Sequence, residues 1–393
     1  MIPEEASSGE GRPVVLTRDF ILLFIASFLF ISCLYLLIPV LPLYMVDVAH
    51  ATTTQVGLLI GMLTFSSFVL RPYVGLKADK WGRKPFLVVG SAVFVVASLL
   101  YMLAHSLWTL LFVLVFNGVG IACFHTASLT FVGDIAPRSQ RGKSQAWFQS
   151  SFNMAVMTAP LLGVFLKDRL GYHSVFVAAS LAGALALVFS LFVREKWMPR
   201  VAGPNLRARF ADLRRLLLLV SVAIFACTAT LGVIEAFLGL FAESAKISHF
   251  ALFFTISGAV LVVVRLAAGK LVDTVGRRLT GFLALIALAA SMFVLAAANG
   301  LALLCVSAVV WGFGFAFCSP ALSAMLMDRV PIEELGSAFG IYTAAFEGGI
   351  VFGAMVMGPV VSALGFSEAF AIIGCICLAG AVFFIAAYGA LTA

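Results

Sequence analysis

The sequence predicts an all-α membrane protein of twelve transmembrane helices arranged as two pseudo-symmetric six-helix bundles. Three observations carry that expectation. The chain has 393 residues, is 63% hydrophobic and 11% charged, and has a mean hydropathy of +1.12. A soluble domain carries about 25% charged residues, so this composition belongs in a membrane. Apolar runs of about 20 residues, enough to cross roughly 30 Å of hydrocarbon as a helix, recur from end to end. Finally, the second half repeats the first at a constant shift of 194 positions, as from Arg71 to Arg265.

The expected spans of the first half are Phe20 to Val46, Thr53 to Leu76, Phe86 to Ala104, Leu107 to Val132, Gly142 to Leu166 and His173 to Val193. Those of the second are Arg214 to Phe241, Ser248 to Lys270, Leu279 to Ala298, Leu301 to Met327, Gly336 to Val361 and Ser367 to Leu391. Continuous apolar runs specify helices, because strands of a membrane barrel alternate over about 10 residues. The domain division that follows is a tail at 1–19, a bundle at 20–193, a linker at 194–213 and a bundle at 214–393.

Charge placement sets the expected orientation. Lys77, Lys80, Arg83 and Lys84 lie in one loop, Arg138, Arg141 and Lys143 in another, and Arg277 and Arg278 in a third. The linker adds Arg194, Lys196, Arg200, Arg207 and Arg209, whereas the opposite side has only Lys167, Arg169 and Lys246. By the positive-inside rule both termini are expected in the cytoplasm of a bacterial-type inner membrane. The net charge of +7 is thus topological and does not point to nucleic acid. The tail has three glutamates, unlike a cleaved signal peptide. All seven cysteines fall inside spans without zinc-type spacing, so neither a metal site nor a disulfide framework is expected.

The repeat is strongest at rare residues. Arg71, Gly75, Asp79, Gly82 and Arg83 fall on Arg265, Gly269, Asp273, Gly276 and Arg277. Asp134 and Pro137 fall on Asp328 and Pro331. Six spans per unit, an even number, make the copies parallel repeats, with a binding site expected between them near the midplane.

The stretches RPYVGLKADKWGRKP (71–85) and RLAAGKLVDTVGRRL (265–279) resemble the motif between helices two and three of the major facilitator superfamily. Two copies at matched loops make the resemblance specific, and it covers the chain beyond the tail. Physically, Gly75 and Gly269 permit close helix approach, and Gly82 and Gly276 permit a tight turn. Asp79 suits the positive N-terminal end of a neighbouring helix. The resemblance implies that this contact latches the halves in the outward-open state. The ten residues from Arg71 to Arg83 and from Arg265 to Arg277 named above form the expected gating set; topology alone is the alternative. Arg71 and Arg265 sit about one turn inside their spans, where each can snorkel to the interface, the default, or reach a partner.

Span five carries Ala155, Ala159, Pro160 and Gly163, which resemble the family's exporter-type helix-bend motif, with alanines at two positions where glycine is usual. Ordinary kinked packing is the alternative. In span four, Leu114 stands where related drug/proton antiporters usually carry Arg. His125, two turns on, is a candidate substitute proton site, or a residue bonding a neighbouring helix.

Of the acidic residues only Glu235 and Glu347 lie clearly inside spans. Glu235, 20 residues after Arg215, is placed about 30 Å along its helix, near the outer face, as a candidate for external gating or substrate entry, with solvation at the rim as the alternative. Glu347, 11 residues past Gly336, is placed about 16 Å deep, near mid-membrane. Its repeat position is Asn153, so the halves share a polar position that ionises only in the second. Glu347 is therefore the expected proton-coupling residue; a protonated carboxyl bonding a neighbouring helix is the alternative.

The expected cavity set is Tyr35, Asn117, His125, Gln149, Asn153, Thr228, Glu235, Tyr342 and Glu347, from spans one, four, seven and ten with five and eleven flanking. Such a lining suits a small amphipathic organic molecule. The chain is expected to be a secondary transporter, working as a monomer among membrane lipids and exchanging its cargo for protons. No enzyme activity, cofactor or nucleotide-binding loop is indicated. An uptake symporter or facilitator of the same fold, a lipid flippase and a non-transporting sensor are the competing classes.

Overall fold

The computed structural model describes residues 17–136, 141–195, 210–331 and 335–392. Most of the expected tail and linker lies outside the described residues, as do Arg138, the side chains of Arg141, Lys143, Arg265 and Asp273, and the surroundings of Gly269. Among the described residues every regular element is helical.

The first half begins with α1 (Arg18–Leu37) and the short α2 (Leu41–Asp47). Together they form one membrane-length stretch, Arg18–Asp47, matching the expected span from Phe20 to Val46 but interrupted within it. Pro39 and Pro42 cannot donate backbone hydrogen bonds, so the ladder breaks and the chain turns before restarting. A capping box of Thr52 and Gln55 starts α3 (Thr53–Trp81), and Ser106 with Thr109 starts α5 (Leu107–Ile135) in the same manner. Between them lies α4 (Lys84–Leu100); α6 (Arg141–Leu170) and α7 (Tyr172–Phe192) complete the half.

The second half contains α8 (Phe210–Ser244), α9 (Leu252–Val275), α10 (Arg277–Ala296), α11 (Leu301–Arg329), α12 (Leu335–Val351), α13 (Met357–Leu364) and α14 (Phe366–Thr392). A π-helical turn, Phe352–Val356, joins α12 to α13. Pro359 lacks the N–H that would bond the Met355 carbonyl, and its ring crowds that carbonyl, so one wider turn is accommodated just before it. The single expected span from Gly336 to Val361 thus carries a bulge.

Ten helical stretches among the described residues are long and apolar enough to cross a membrane. α6 and α9 are not among the ten. The stretch Gln149, Ser150, Ser151 and Asn153 dilutes the apolarity of α6, and α9 contributes the shorter apolar run Leu252–Val264.

The duplication is visible in the backbone. Gly82 and Gly276 have φ of +91° and +82°, and Gly171 and Gly365 have φ of +82° and +109°. Both pairs are related by the 194-residue shift, and both sit where two helices meet at a turn that an L side chain rarely enters. Packing repeats as well: α4 lies on α5 and α7 as α10 lies on α11 and α14, and α3 on α5 as α9 on α11. In the first core Phe30 stacks on Phe124 at 4.0 Å and meets Phe94 edge-on at 4.8 Å. In the second, Ser291 and Ser307 exchange 3.0 Å hydrogen bonds, satisfying two hydroxyls away from water.

The halves touch through α6 and α9, and through α3 with α12, the π turn and α13. That second seam is asymmetric along its length. A Cβ on Gly57 would lie 2.4 Å from the Ala354 carbonyl oxygen, and one on Gly61 would overlap the Met355 side chain. Toward the other end, Gly75 has only a Thr126 methyl at 3.9 Å, in its own bundle, and Gly340 faces open space. The bundles therefore clasp where α3 begins and splay at the end carrying the 82–84 and 276–278 turns, here termed the loop end. Gly57→Leu is expected to force the clasp apart, since over-packing costs about 1–3 kcal/mol, whereas Gly75→Leu fits this state. Hydrogen exchange should rise across 53–61 and 354–364 in the first variant only; equal effects would contradict the asymmetry.

Candidate functional site

Residues from α1, α3, α5 and α6 of one half and α8, α9, α11 and α12 of the other enclose a cavity of about 360 Å³ between the bundles. That is room for a small organic molecule. Most of the wall is aliphatic or aromatic, including Phe152, Phe254, Trp311 and Phe346. Arg71, His125, Glu235 and Glu347 are its titratable side chains besides the tyrosines.

Polar contacts cross the cavity from one half to the other. Arg71 Nη1 of α3 lies 2.6 Å from Glu347 Oε1 of α12, with the two side chains 18% and 6% exposed. Arg71 Nε also reaches Ser67 Oγ, one turn earlier, at 3.4 Å. Snorkelling, the sequence default for Arg71, is corrected: an interior carboxylate offers the guanidinium both charge and a hydrogen bond, which favours the inward rotamer. Its place is in the cavity rather than with the turn residues of the gating set.

A second contact joins α1 to α8, where Tyr35 Oη donates to Glu235 Oε1 at 3.1 Å. Glu235 belongs to the cavity, as the expected cavity set has it, and its solvated-rim alternative is corrected. It lines the cavity, because the bundles close over it at the clasped end.

Asn117, Gln149, Asn153 and Tyr342 line the same space. Asn117 Nδ2 donates to Tyr101 Oη at 3.1 Å, while its buried carbonyl oxygen has no hydrogen-bond partner among the described residues. Tyr342 Oη and Ser319 Oγ are 2.9 Å apart. Thr228 is the exception: its hydroxyl donates to the Ile224 carbonyl of its own helix, and it packs where a Cβ on Gly349 would sit. It seals α8 against α12 and does not face the cavity.

Sequence reasoning missed Trp311, Phe315 and Ser67, and did not count spans two and eight as walls. Trp311 had a signal, being the repeat-mate of Asn117. It stacks on Phe315 at 4.7 Å and donates from Nε1 to Thr230 Oγ1 at 2.8 Å.

The motif turn lies apart from the cavity. Arg83, 3% exposed, reaches Asp79 Oδ1 from Nη2 at 2.6 Å and Asp134 Oδ2 from Nε at 3.2 Å. Its repeat-mate Arg277 pairs with Asp328 and donates to the Ala324 carbonyl at 2.7 Å. Asp79 thus pairs with the cation one turn on in its own bundle. In α6, Ala155 and Ala159 are buried and a Cβ on Gly163 would meet the Leu36 carbonyl oxygen at 2.4 Å. The helix continues through Pro160. Small residues there allow α6 to lie against α1.

The model of the Major Facilitator Superfamily matches residues 23–301 and 220–391. An MFS-type transporter of Methanocaldococcus jannaschii is 22% identical over 363 residues, 90% of this chain and 94% of that protein. Multidrug resistance protein 2 of Bacillus subtilis is 25% identical over 338 residues, 82% of this chain and 84% of its own length. Among solved structures, the nucleoside transporter NupG superposes with a TM-score of 0.76 at 17% identity, covering 95% of this chain and 99% of that one.

Proposed function

The chain belongs to the major facilitator superfamily, and from that premise we propose that it is a proton-coupled exporter of a small amphipathic organic molecule. All twelve expected spans cross the membrane in this reading, with both termini in the cytoplasm. The clasped face is then the outer one, and the cavity is in its cytoplasm-open state.

One observation carries the reading most directly: Glu347 sits in the cavity wall, bonded across the inter-bundle gap to Arg71. Protonating that carboxylate cancels one charge and removes the attraction holding α3 to α12 at this depth. A proton taken from outside would thus loosen a contact between the halves, and its release inside would restore it. Cargo in the same cavity disfavours the protonated acid, which gives exchange. Glu235 supplies an acceptor for a donor or cationic group on the cargo, and the aromatic wall accepts its apolar part. The likeness to Multidrug resistance protein 2 favours export of drug-like molecules.

Inverted vesicles containing the chain test this directly. Acidifying their interior is expected to drive accumulation of amphipathic fluorescent probes, and collapsing the gradient should release them. Accumulation indifferent to the gradient would exclude proton coupling. Gradient-driven movement in the opposite direction would make the chain an uptake symporter.

A further inference from the structure

A hollow opens on the outside of the first half at its loop end, between the start of α4 and the residues just beyond α7. Trp81, Lys84, Val88, Val89, Arg194 and Glu195 line it, and it shares no residue with the cavity between the bundles. Its apolar side is accessible, with Trp81 63% and Val89 48% exposed. The indole is held in place: it stacks on Phe86 at 6.3 Å, and Lys77 Nζ lies over it at 4.7 Å. The cations of the hollow have no acid of their own. Among the described residues no carboxylate pairs with the Lys84 ammonium or the Arg194 guanidinium. Two acids here are engaged with the backbone instead. Glu195 accepts the Arg83 N–H on Oε1 at 2.5 Å and the Lys84 N–H on Oε2 at 2.9 Å, and Asp19 accepts the Arg194 N–H at 3.0 Å.

The second half engages the equivalent cation within the chain. Lys84, Val88 and Arg194 have Arg278, Phe282 and Tyr388 as repeat-mates. Arg278 lies over the Tyr388 ring at 5.3 Å and donates to the Ile385 carbonyl at 3.4 Å. A small side chain and two free cations are therefore not needed to build this junction.

An apolar wall beside two cations, at the end of a membrane helix, suits a phosphate joined to hydrocarbon. A guanidinium and an ammonium both form charge-assisted hydrogen bonds to phosphate oxygens. A zwitterionic lipid brings its own ammonium, which the two cations repel, whereas an anionic lipid gains about fivefold in binding from each. We propose that this hollow binds an anionic phospholipid of the leaflet at the loop end. Its phosphate lies between Lys84 and Arg194, and an acyl chain runs along Trp81, Val88 and Val89. The site goes beyond the transport reading and depends on neither cargo nor a proton gradient, so the two can fail separately.

Phosphatidylglycerol brominated on its acyl chains, titrated into the delipidated full chain in maltoside micelles, tests it, because bromine quenches a tryptophan that it touches. Trp81 emission is taken as the difference between the parent and Trp81→Phe. It is expected to be quenched at a mole fraction about 25-fold lower than brominated phosphatidylcholine requires. Lys84→Gln and Arg194→Gln should each raise the half-quenching fraction of the anionic lipid about fivefold, whereas Arg169→Gln, at the clasped end, should leave it unchanged. Val88→Phe, which copies the second half, should remove the preference with both cations kept. Equal quenching by the two lipids overturns the proposal, as does a preference that survives Val88→Phe or the loss of both cations. Displacement of the anionic lipid by millimolar inorganic phosphate at constant ionic strength would assign the cations to a soluble anion and overturn it equally.

Discussion

Glu347→Gln is expected to abolish gradient-driven accumulation while leaving cargo binding within a few-fold of the parent. The amide keeps the size of the side chain and can still accept from Arg71, but it carries no charge and takes up no proton at physiological pH. The contact between α3 and α12 then has one strength on both sides of the membrane. Movement down the cargo's own gradient should continue, at a rate that no longer varies with pH between about 5 and 8. Losing the roughly 1.4 kcal/mol that one pH unit supplies lowers the accumulation ratio by about tenfold for each unit of gradient, if one proton is exchanged. An amide variant that concentrates cargo with unchanged pH dependence would make Glu347 structural and return the coupling question to His125 and Glu235.

Arg71→Ala is expected to be the most destabilising single change in the cavity. It leaves the Glu347 carboxylate, 6% exposed, with no cation beside it. Breaking a buried pair from one side costs about 3–5 kcal/mol, because the remaining charge has lost its compensation. Combining it with Glu347→Gln should recover most of that loss, since no buried charge is then left alone. Thermal unfolding of the purified chain, followed in one detergent for the four members of the cycle, separates the pairwise contribution from two independent losses. If the double variant is no more stable than Arg71→Ala alone, the pair is not what holds the two helices together at that depth.

These two predictions concern one contact whose members are 276 positions apart in the sequence (347 − 71), and the chain announces them unequally. Glu347 stands out, because an acid in a run of small apolar residues needs an explanation. Arg71 does not, because long basic side chains near helix ends ordinarily reach the interface, and its position in a loop motif suggested a loop role. Glu235 was placed in the cavity set, but its wetness was not legible: counting residues along one helix measures depth, and whether that depth is wet depends on how the neighbouring bundle closes over it. Thr228 erred the other way. A hydroxyl in a cavity-lining helix need not face the cavity when its own backbone offers an acceptor one turn back.

Composition and periodicity by themselves determined that the chain is helical and membrane-embedded, because only a helix satisfies its backbone polar groups within a single apolar segment. The 194-residue repeat determined that there are two related halves, and it placed the paired turns at Gly82 and Gly276 before any packing was known. Tertiary structure alone decided which polar residues meet: Arg71 with Glu347, Tyr35 with Glu235, and Glu195 with the Arg83 turn. Local sequence specifies the helices, but the rotamer of a buried charge is set by whichever counter-charge another helix brings within reach, and that depends on how the two bundles lean together.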